Sequence, residues 1–219
     1  MTWIKICGTT NLEDAKLAVD AGADALGFVF YDKSPRKVDP ETVREIVAKL
    51  PATVEKVGVF VHDSFKRIRG IMESTGLTAV QLHSRNWNRI EDLIGINGNP
   101  SGPKLIMALP ADELVQSNVL IQGYNLHAMM LDSGSDQTPG GTGKTFDWRK
   151  AQSVIQQLSL TVPVIVAGGL TTLNVSEAVK LFQPYGVDVA SGVEARPGKK
   201  DPEKLRAFIQ AVRAAEKNN

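Results

Sequence analysis

Short apolar runs alternate with longer amphipathic segments along the whole chain. The apolar runs predict strands, and the longer segments, whose apolar positions recur every three or four residues, predict helices. The predicted strands are Trp3–Cys7, Ala25–Phe30, Val54–Val61, Ala79–His83, Lys104–Leu109, Ala128–Asp132, Pro163–Ala167 and Val187–Ala190. The predicted helices are Asn11–Ala21, Pro40–Leu50, Ser64–Thr75, Trp87–Ile96, Ala111–Gln122, Trp148–Leu158, Thr172–Phe182 and Asp201–Lys217.

This alternation predicts the fold class. Parallel neighbours need a crossover connection, which a helix usually supplies, so the sheet is expected to be parallel. Eight such units favour a closed (β/α)8 (TIM) barrel, a single domain over residues 1–219, rather than an open doubly wound sheet. The turn-rich stretch Asn97–Pro103 lies inside one unit and predicts a loop, not a domain boundary. Chemistry is then expected at the carboxyl ends of the strands.

Composition and charge exclude several classes of function. Lysine and arginine number 25 against 24 aspartates and glutamates, a net charge of +1 that argues against a broad nucleic-acid surface. A single cysteine cannot form an intramolecular disulfide, and no cysteine–histidine cluster has zinc spacing. The longest apolar runs are too short to span a bilayer, and no signal-peptide pattern is present. We therefore expect a cytoplasmic protein without nucleic-acid or membrane partners.

Two reactive side chains end predicted strands. Period-two alternation places Lys5 and Cys7 inside the barrel, with Cys7 at the mouth and Lys5 one layer below. A nearby positive charge makes a thiol, with an ordinary pKa of about 8.5, a usable base near neutral pH. Asp132 ends the sixth predicted strand and is a candidate acid partner across the mouth. Taken singly, an inert buried cysteine and a turn-capping aspartate are the alternatives.

Glycine-rich segments follow the sixth, seventh and eighth predicted strands. Backbone N–H groups in such loops bind anions, and barrels often place a phosphate after strands seven and eight. Tight turns are the alternative for any single segment, but two segments in consecutive loops favour a phosphate site. The candidate phosphate-binding residues are Gly141, Gly143, Gly168, Gly169, Ser191 and Gly192.

Other polar residues are expected at the same mouth. Arg36 follows the second strand, and its planar fork matches a carboxylate, with a solvated surface arginine as the alternative. Gln81 and His83 share inward parity and are candidate substrate contacts, although a lone histidine is more often structural. The histidines lack metal-ligand spacing, so no metal site is expected. Gly143–Thr145 is not a nucleotide-binding P-loop, because Thr138 stands where that motif needs glycine.

A series of short segments carries a further signal in its order and spacing. The segments are Lys5–Gly8, Gly27–Phe30, Ser34–Arg36, Val57–Val61, Gln81–His83, Leu131–Ser133, Gly140–Gly143, Phe146–Trp148, Ala167–Leu170, Gly186–Val189, Ser191–Glu194 and Pro197–Asp201. Together they resemble the phosphoribosylanthranilate isomerase family of tryptophan biosynthesis over essentially the whole chain. Ser84 stands where that family usually has glycine, and Ala190 where it usually has serine.

The resemblance implies a specific reaction and specific roles. The reaction is the Amadori rearrangement of N-(5-phosphoribosyl)anthranilate to 1-(2-carboxyphenylamino)-1-deoxyribulose 5-phosphate. Cys7 is implied as the base that removes the ribose C2 proton, and Asp132 as the acid that protonates the ring oxygen. Arg36 would face the anthranilate carboxylate, and the glycine loops would hold the phosphate. The implied partner is thus a small phosphosugar, no cofactor is implied, and both a monomer and a homodimer are compatible.

The residues alone leave other functions open. A related sugar-phosphate isomerase of histidine biosynthesis runs the same rearrangement, but we expect carboxylates as both its base and its acid. An aldolase would use Lys5 to form a Schiff base. A non-catalytic phosphosugar-binding barrel would keep the glycine loops and need neither Cys7 nor Asp132.

Overall fold

Eight parallel strands close into a barrel in the computed structural model, which describes residues 1–83, 103–111, 126–133 and 145–217. Each strand pairs with the next in chain order, and the eighth pairs with the first. The strands are β1 (Trp3–Cys7), β2 (Ala25–Val29), β3 (Glu55–Phe60), β4 (Ala79–His83), β5 (Lys104–Pro110), β6 (Ala128–Asp132), β7 (Val164–Val166) and β8 (Gly186–Val189). The predicted (β/α)8 barrel is confirmed.

Helices lie between the strands. In the described residues they are α1 (Leu12–Ala21), α2 (Pro40–Val47), α3 (Phe65–Thr75), α4 (Trp148–Ser159), α5 (Val175–Phe182) and α6 (Pro202–Glu216). The predicted helices Trp87–Ile96 and Ala111–Gln122 and the loop Asn97–Pro103 fall outside the described residues, apart from Ala111 and Pro103. No helix in the described ranges is long and apolar enough to cross a membrane.

Side-chain caps explain where several helices begin. Asn11 accepts a hydrogen bond from the backbone N–H of Asp14, and Asp201 accepts from two N–H groups in the first turn of α6. Helix α5 begins at Val175 instead of the predicted Thr172. The reason is that Asn174 Oδ1 accepts a 2.7 Å hydrogen bond from the Thr171 N–H and holds the preceding residues in a turn.

The two faces of each strand have different surroundings. Ile4 and Ile6 of β1 belong to the large buried cluster that the strands share with the helices. Residues of the opposite parity, beginning with Trp3, form separate clusters inside the barrel. Lys5 and Cys7 share the inner face, as predicted.

A small hairpin follows β8 and was not predicted from the sequence. A 3-10 turn at Ser191–Val193 leads into β9 (Glu194–Arg196), which pairs antiparallel with β10 (Lys199–Lys200). The turn between the two strands contains Gly198, whose φ is 78°. The hairpin lies beside the carboxyl end of β1, and this position brings its buried charges to the mouth of the barrel.

Candidate active site

The thiol of Cys7 lies at the inner mouth, beside the side chain of Lys5. Cys7 is 8% exposed. Both side chains lie over Gly27 of β2, where an added Cβ would be 2.8 Å from Cys7 Sγ and 3.0 Å from Lys5 Cε. Glycine at position 27 therefore provides the space in which the sulfur and the lysine side chain lie side by side.

Lys5 forms a buried ion pair across the seam between the first and last barrel strands. Its Nζ donates to Asp188 Oδ1 at 2.6 Å, and the two residues are register partners in β1 and β8. Burial opposes the ammonium charge, but Asp188 and the Cys7 sulfur outweigh it and raise the pKa of Lys5 above its ordinary value. A Schiff-base lysine must be a neutral amine, so this environment argues against the aldolase alternative.

Burial also acts on the thiol itself. It raises the pKa of Cys7, because the low-dielectric surroundings disfavour the thiolate, while Lys5 and Lys200 act in the opposite direction. The thiol is thus the main form of Cys7 in the resting protein. The adjacent ammonium groups stabilise the thiolate when it forms.

Alkylation should report this titration directly. Only the thiolate reacts, and its fraction grows about tenfold per pH unit below the pKa. We expect iodoacetamide to modify Cys7 slowly at neutral pH. The rate of modification should continue to rise above the pH at which the rate for a free thiol in solution becomes constant. A phosphate-containing ligand should protect Cys7 from modification. The rate is measured by mass spectrometry with glutathione as the control. A plateau near neutral pH would contradict the raised pKa.

Arg36 lies on the same side of the mouth, across the end of β1. Gly8 has a φ of 75°, and a Cβ there would be 2.5 Å from Arg36 Cδ, so both conformation and space require glycine. The guanidinium forms a bidentate ion pair with Glu194: Nε and Nη2 donate to its carboxylate oxygens at 2.8 to 3.1 Å. Arg36 therefore lies against Gly8, the residue after Cys7, at the mouth of the barrel, and its role in substrate binding stays a prediction.

Gln81 and His83 lie on the inner face of β4. The Nε2 of Gln81 donates to the Nε2 of His83 at 2.6 Å, which places the ring proton of neutral His83 on Nδ1. Burial, together with Lys5, lowers the pKa of His83 to about 4, so the ring is neutral near pH 7. His83 can therefore contact a substrate as a neutral polar group but not as a cation. Gln81 is fully buried beneath it, and the role of both residues in substrate binding stays a prediction.

Asp132 ends β6, and two strands, β7 and β8, separate it from β1 in the barrel. Its side chain is buried, with 7% exposed, and Ser133 Oγ donates to Asp132 Oδ1 at 3.4 Å. The loop after β7 packs directly on this strand end, because a Cβ on Gly168 would lie 2.4 Å from the Ser133 nitrogen. The predicted acid thus adjoins the first of the two glycine loops.

The loops after β7 and β8 are in direct contact. A Cβ on Gly192 would lie 1.9 Å from the carbonyl oxygen of Leu170, so the backbones meet without an intervening side chain. Asn174 Nδ2 donates to the carbonyl oxygen of Gly169 at 3.0 Å and fixes the first loop. Gly168, Gly169, Ser191 and Gly192 are brought together by these contacts. Gly141 and Gly143, predicted for the same site, lie outside the described residues.

Sequence reasoning missed three buried charges at this mouth. They are Asp188, which pairs with Lys5, and Glu194 and Lys200, which pair with each other, Glu194 also binding Arg36. A signal was present for Asp188, the polar residue in the otherwise apolar segment Gly186–Val189. For the hairpin, the Pro197-Gly198 pair indicated a turn.

Fold and site together define a class of protein: a barrel enzyme with a thiol, a carboxylate and an arginine at one mouth, beside adjoining glycine loops. A family model described as N-(5'-phosphoribosyl)anthranilate (PRA) isomerase matches residues 4–211. The N-(5'-phosphoribosyl)anthranilate isomerase of Geotalea uraniireducens is 41% identical over 213 residues, covering 97% of this chain and 99% of that protein. The enzyme of the same name from Chlorobaculum parvum is 42% identical over 220 residues, covering 99% and 97%.

Solved structures agree. The phosphoribosyl anthranilate isomerase of Thermotoga maritima superposes with a TM-score of 0.82 at 37% identity, covering 98% of this chain and 100% of that one. Another, in complex with reduced 1-(o-carboxyphenylamino)-1-deoxyribulose 5-phosphate, gives a TM-score of 0.79 at 34% identity, covering 98% and 100%. The chain belongs to the N-(5'-phosphoribosyl)anthranilate isomerase family. The prediction of an isomerase of tryptophan biosynthesis is confirmed.

Proposed function

We propose that the family's rearrangement proceeds here by general acid–base catalysis, with Cys7 as the base and Asp132 as the acid. The observation that supports this most is the surroundings of Cys7: a buried thiol beside the Lys5 ammonium, with Arg36 held next to it at the same mouth as Asp132. A thiol and a carboxyl group on different strands supply one proton acceptor and one proton donor.

The chemistry requires both groups. As the bond between C1 and the ring oxygen breaks, Asp132 gives its proton to that oxygen, and the anilino nitrogen forms a C1=N iminium. The iminium acidifies the C2 proton, which the Cys7 thiolate removes, and the released electron pair forms a C1=C2 enolamine. The enolamine then tautomerises to the ketone, giving its C2 hydroxyl proton to solvent and taking a proton from solvent at C1. Cys7 loses its proton to solvent and Asp132 regains one, so both groups return to their starting forms. Neither an oxidant nor an electron-accepting cofactor enters this balance.

Binding contacts orient the substrate for these steps. We propose that the loops at Gly168–Gly169 and Ser191–Gly192 hold the phosphate through backbone N–H groups and that Arg36 binds the anthranilate carboxylate. The solved relative in complex with a carboxyphenylamino-deoxyribulose phosphate supports a phosphosugar ligand with a carboxyl group. Such remote contacts place the ribose between base and acid and so contribute to catalysis.

The decisive experiment is a fluorescence assay of the purified protein on freshly prepared phosphoribosylanthranilate. We expect consumption of substrate, and the same rate after exhaustive treatment with a chelator. Loss of activity that a divalent ion restores would contradict the mechanism without a metal. Binding without turnover would favour a phosphosugar-binding barrel, and a borohydride-trapped adduct on Lys5 would favour the aldolase. Preferential turnover of the histidine-pathway substrate would favour the related isomerase.

We propose a cytoplasmic location for this activity, with the protein working as a monomer or a homodimer.

Two glycine substitutions, one in the proposed phosphate site and one far from it, test the site. Gly192→Ala forces the loops apart at Leu170, and we expect KM and the inhibition constant of inorganic phosphate to rise roughly tenfold, about the loss of one hydrogen bond to a charged group. Gly70→Ala is the matched control: nothing lies within 4 Å of its added Cβ, and in the middle of α3 it should stabilise the fold by about 0.5–1 kcal/mol. Unchanged phosphate inhibition in Gly192→Ala would argue against these loops as the site.

A further inference from the structure

Two buried charged residues of the β9–β10 hairpin take no part in the chemistry proposed above. Glu194 is 6% exposed and Lys200 is 1% exposed. Burial of a charge is unfavourable unless the charge is paired and hydrogen-bonded, so the partners of these two residues indicate what they do.

Their contacts connect the two sides of the predicted substrate site. Glu194 accepts three hydrogen bonds from Arg36, at 2.8, 2.9 and 3.1 Å. Its Oε1 also accepts from Lys200 Nζ at 3.0 Å and from the Gly198 N–H at 3.3 Å. Lys200 Nζ in turn donates to the backbone carbonyl oxygen of Cys7 at 2.5 Å and lies 3.5 Å from the carbonyl oxygen of Ala190. A continuous set of polar contacts therefore runs from the Arg36 guanidinium to the main chain of the base.

Glu194 occupies only one edge of the guanidinium. It binds Nε and Nη2, whereas Nη1 has no hydrogen-bond partner in the described part of the chain. The second hydrogen of Nη2 and one hydrogen of Nη1 form the other edge, which presents a parallel pair of donors. That edge matches a second carboxylate, so Arg36 can hold Glu194 and a substrate carboxylate at the same time. Because Glu194 fixes the plane of the guanidinium, it also fixes the direction of this second edge.

Lys200 adds a positive charge beside Cys7 and a hydrogen bond to its main chain. Two cations, Arg36 and Lys200, share the single anion Glu194, which leaves a surplus of one positive charge next to Cys7. Lys200 and Lys5 lower the pKa of the Cys7 thiol, whereas burial and Asp188 raise it. Burial lowers the pKa of Lys200 itself, and the ion pair with Glu194 opposes this effect and favours the ammonium. Its hydrogen bond to the Cys7 carbonyl fixes the main chain from which the thiol projects.

We propose that Glu194 and Lys200 are positioning residues of the reaction. Glu194 orients the second edge of the Arg36 guanidinium, formed by Nη1 and Nη2, toward the substrate carboxylate. Lys200 fixes the end of β1 and favours the thiolate of Cys7. This inference rests on the proposed function, in which Arg36 binds the carboxylate and Cys7 is the base.

The role of Glu194 is tested by a double-mutant cycle with Arg36. Glu194→Gln alone should raise KM roughly tenfold, with kcat within a few-fold of the original, because a charged partner of Arg36 is lost. In an Arg36→Met background the same substitution should leave KM unchanged, since there is no guanidinium left to aim. Effects on KM that multiply in the double variant would overturn the inference. An unchanged KM in Arg36→Met alone would instead contradict the proposed function. Competitive inhibition by inorganic phosphate, unchanged in Glu194→Gln, verifies that the mouth is folded.

The role of Lys200 is tested through the pH profile of kcat/KM. Lys200→Gln keeps a polar N–H donor on the side chain but removes the charge, so the rise of kcat/KM should move to higher pH by roughly half a unit or more. At neutral pH this lowers kcat/KM several-fold, and Lys200→Arg should restore the profile. Arg196→Gln is the matched control: it removes the same charge from the exposed face of β9, where the side chain makes no hydrogen bond or ion pair in the described residues. Coincident profiles for Lys200→Gln and the original protein would overturn the inference, even if Glu194→Gln failed to fold.

Discussion

Replacing Cys7 with alanine should lower kcat by roughly 10²–10⁴-fold, the usual loss when a positioned base is removed. The contacts proposed to hold the substrate lie elsewhere, on Arg36 and on the glycine loops, so KM should change little. The structure adds a reason for a large effect, because Lys5 and Lys200 stabilise a thiolate at this position and the chain has no second cysteine to replace it. Steady-state kinetics on the two proteins measure both parameters.

A conservative variant separates the chemistry of the thiol from its volume. Cys7→Ser preserves the shape next to Gly27 but substitutes a hydroxyl group that ionises far less readily. We expect it to be nearly as inactive as the alanine variant and equally stable to heat. If either variant kept near-original turnover, Cys7 would not be the base.

The second large effect is expected at Asp132. Asp132→Asn keeps the shape of the side chain but deletes the proton that, in the proposed mechanism, the ring oxygen receives as the C1–O bond breaks. That interaction strengthens only in the transition state, so kcat should fall steeply, by roughly 10²-fold or more, while KM stays close to its original value.

Arg36→Met provides the contrast, because the charge of the bound carboxylate does not change during the reaction. The contact between Arg36 and this carboxylate is about equally strong in the ground and transition states. In Arg36→Met, KM should therefore rise by roughly ten- to a hundredfold with little change in kcat. Glu194 keeps Lys200 and Gly198 as partners in this variant, so the fold should persist. A collapse of kcat in Arg36→Met together with a pure KM effect in Asp132→Asn would mean that the two roles are reversed.

Much of the barrel could be predicted from the sequence, because buried parallel strands are short apolar runs with clear borders. Strands β4 and β6 have the predicted bounds, Ala79–His83 and Ala128–Asp132. The observed helices differ from the predicted ranges by a few residues at their ends, because local side-chain caps determine where a helix begins or ends. The hairpin after β8 was missed because strands of three and two residues are too short to show a period.

The candidate site could be predicted only in part, for a related reason. Strand parity determines which way a side chain points, so Lys5 and Cys7 could be placed inside the barrel. It does not determine which charges meet, and Lys5 and Asp188 are 183 positions apart in the chain. The glycine loops were assigned from composition, but their contact at Gly192 and Leu170 depends on how neighbouring strands end in space.

The pairing of β1 with β8 has a consequence for how the enzyme is made. Cys7 is synthesised well before Asp188, Glu194 and Lys200, the charged residues that lie around the end of β1 in the folded protein. The ion pair between Lys5 and Asp188, at 2.6 Å, and the hydrogen bond from Lys200 to the Cys7 carbonyl oxygen, at 2.5 Å, form only when β1 has been joined by β8 and the hairpin that follows it. A nascent chain can therefore build most of the sheet while Cys7 still has the surroundings of an ordinary cysteine, and the thiol gains its charged neighbours only after Lys200 has been made.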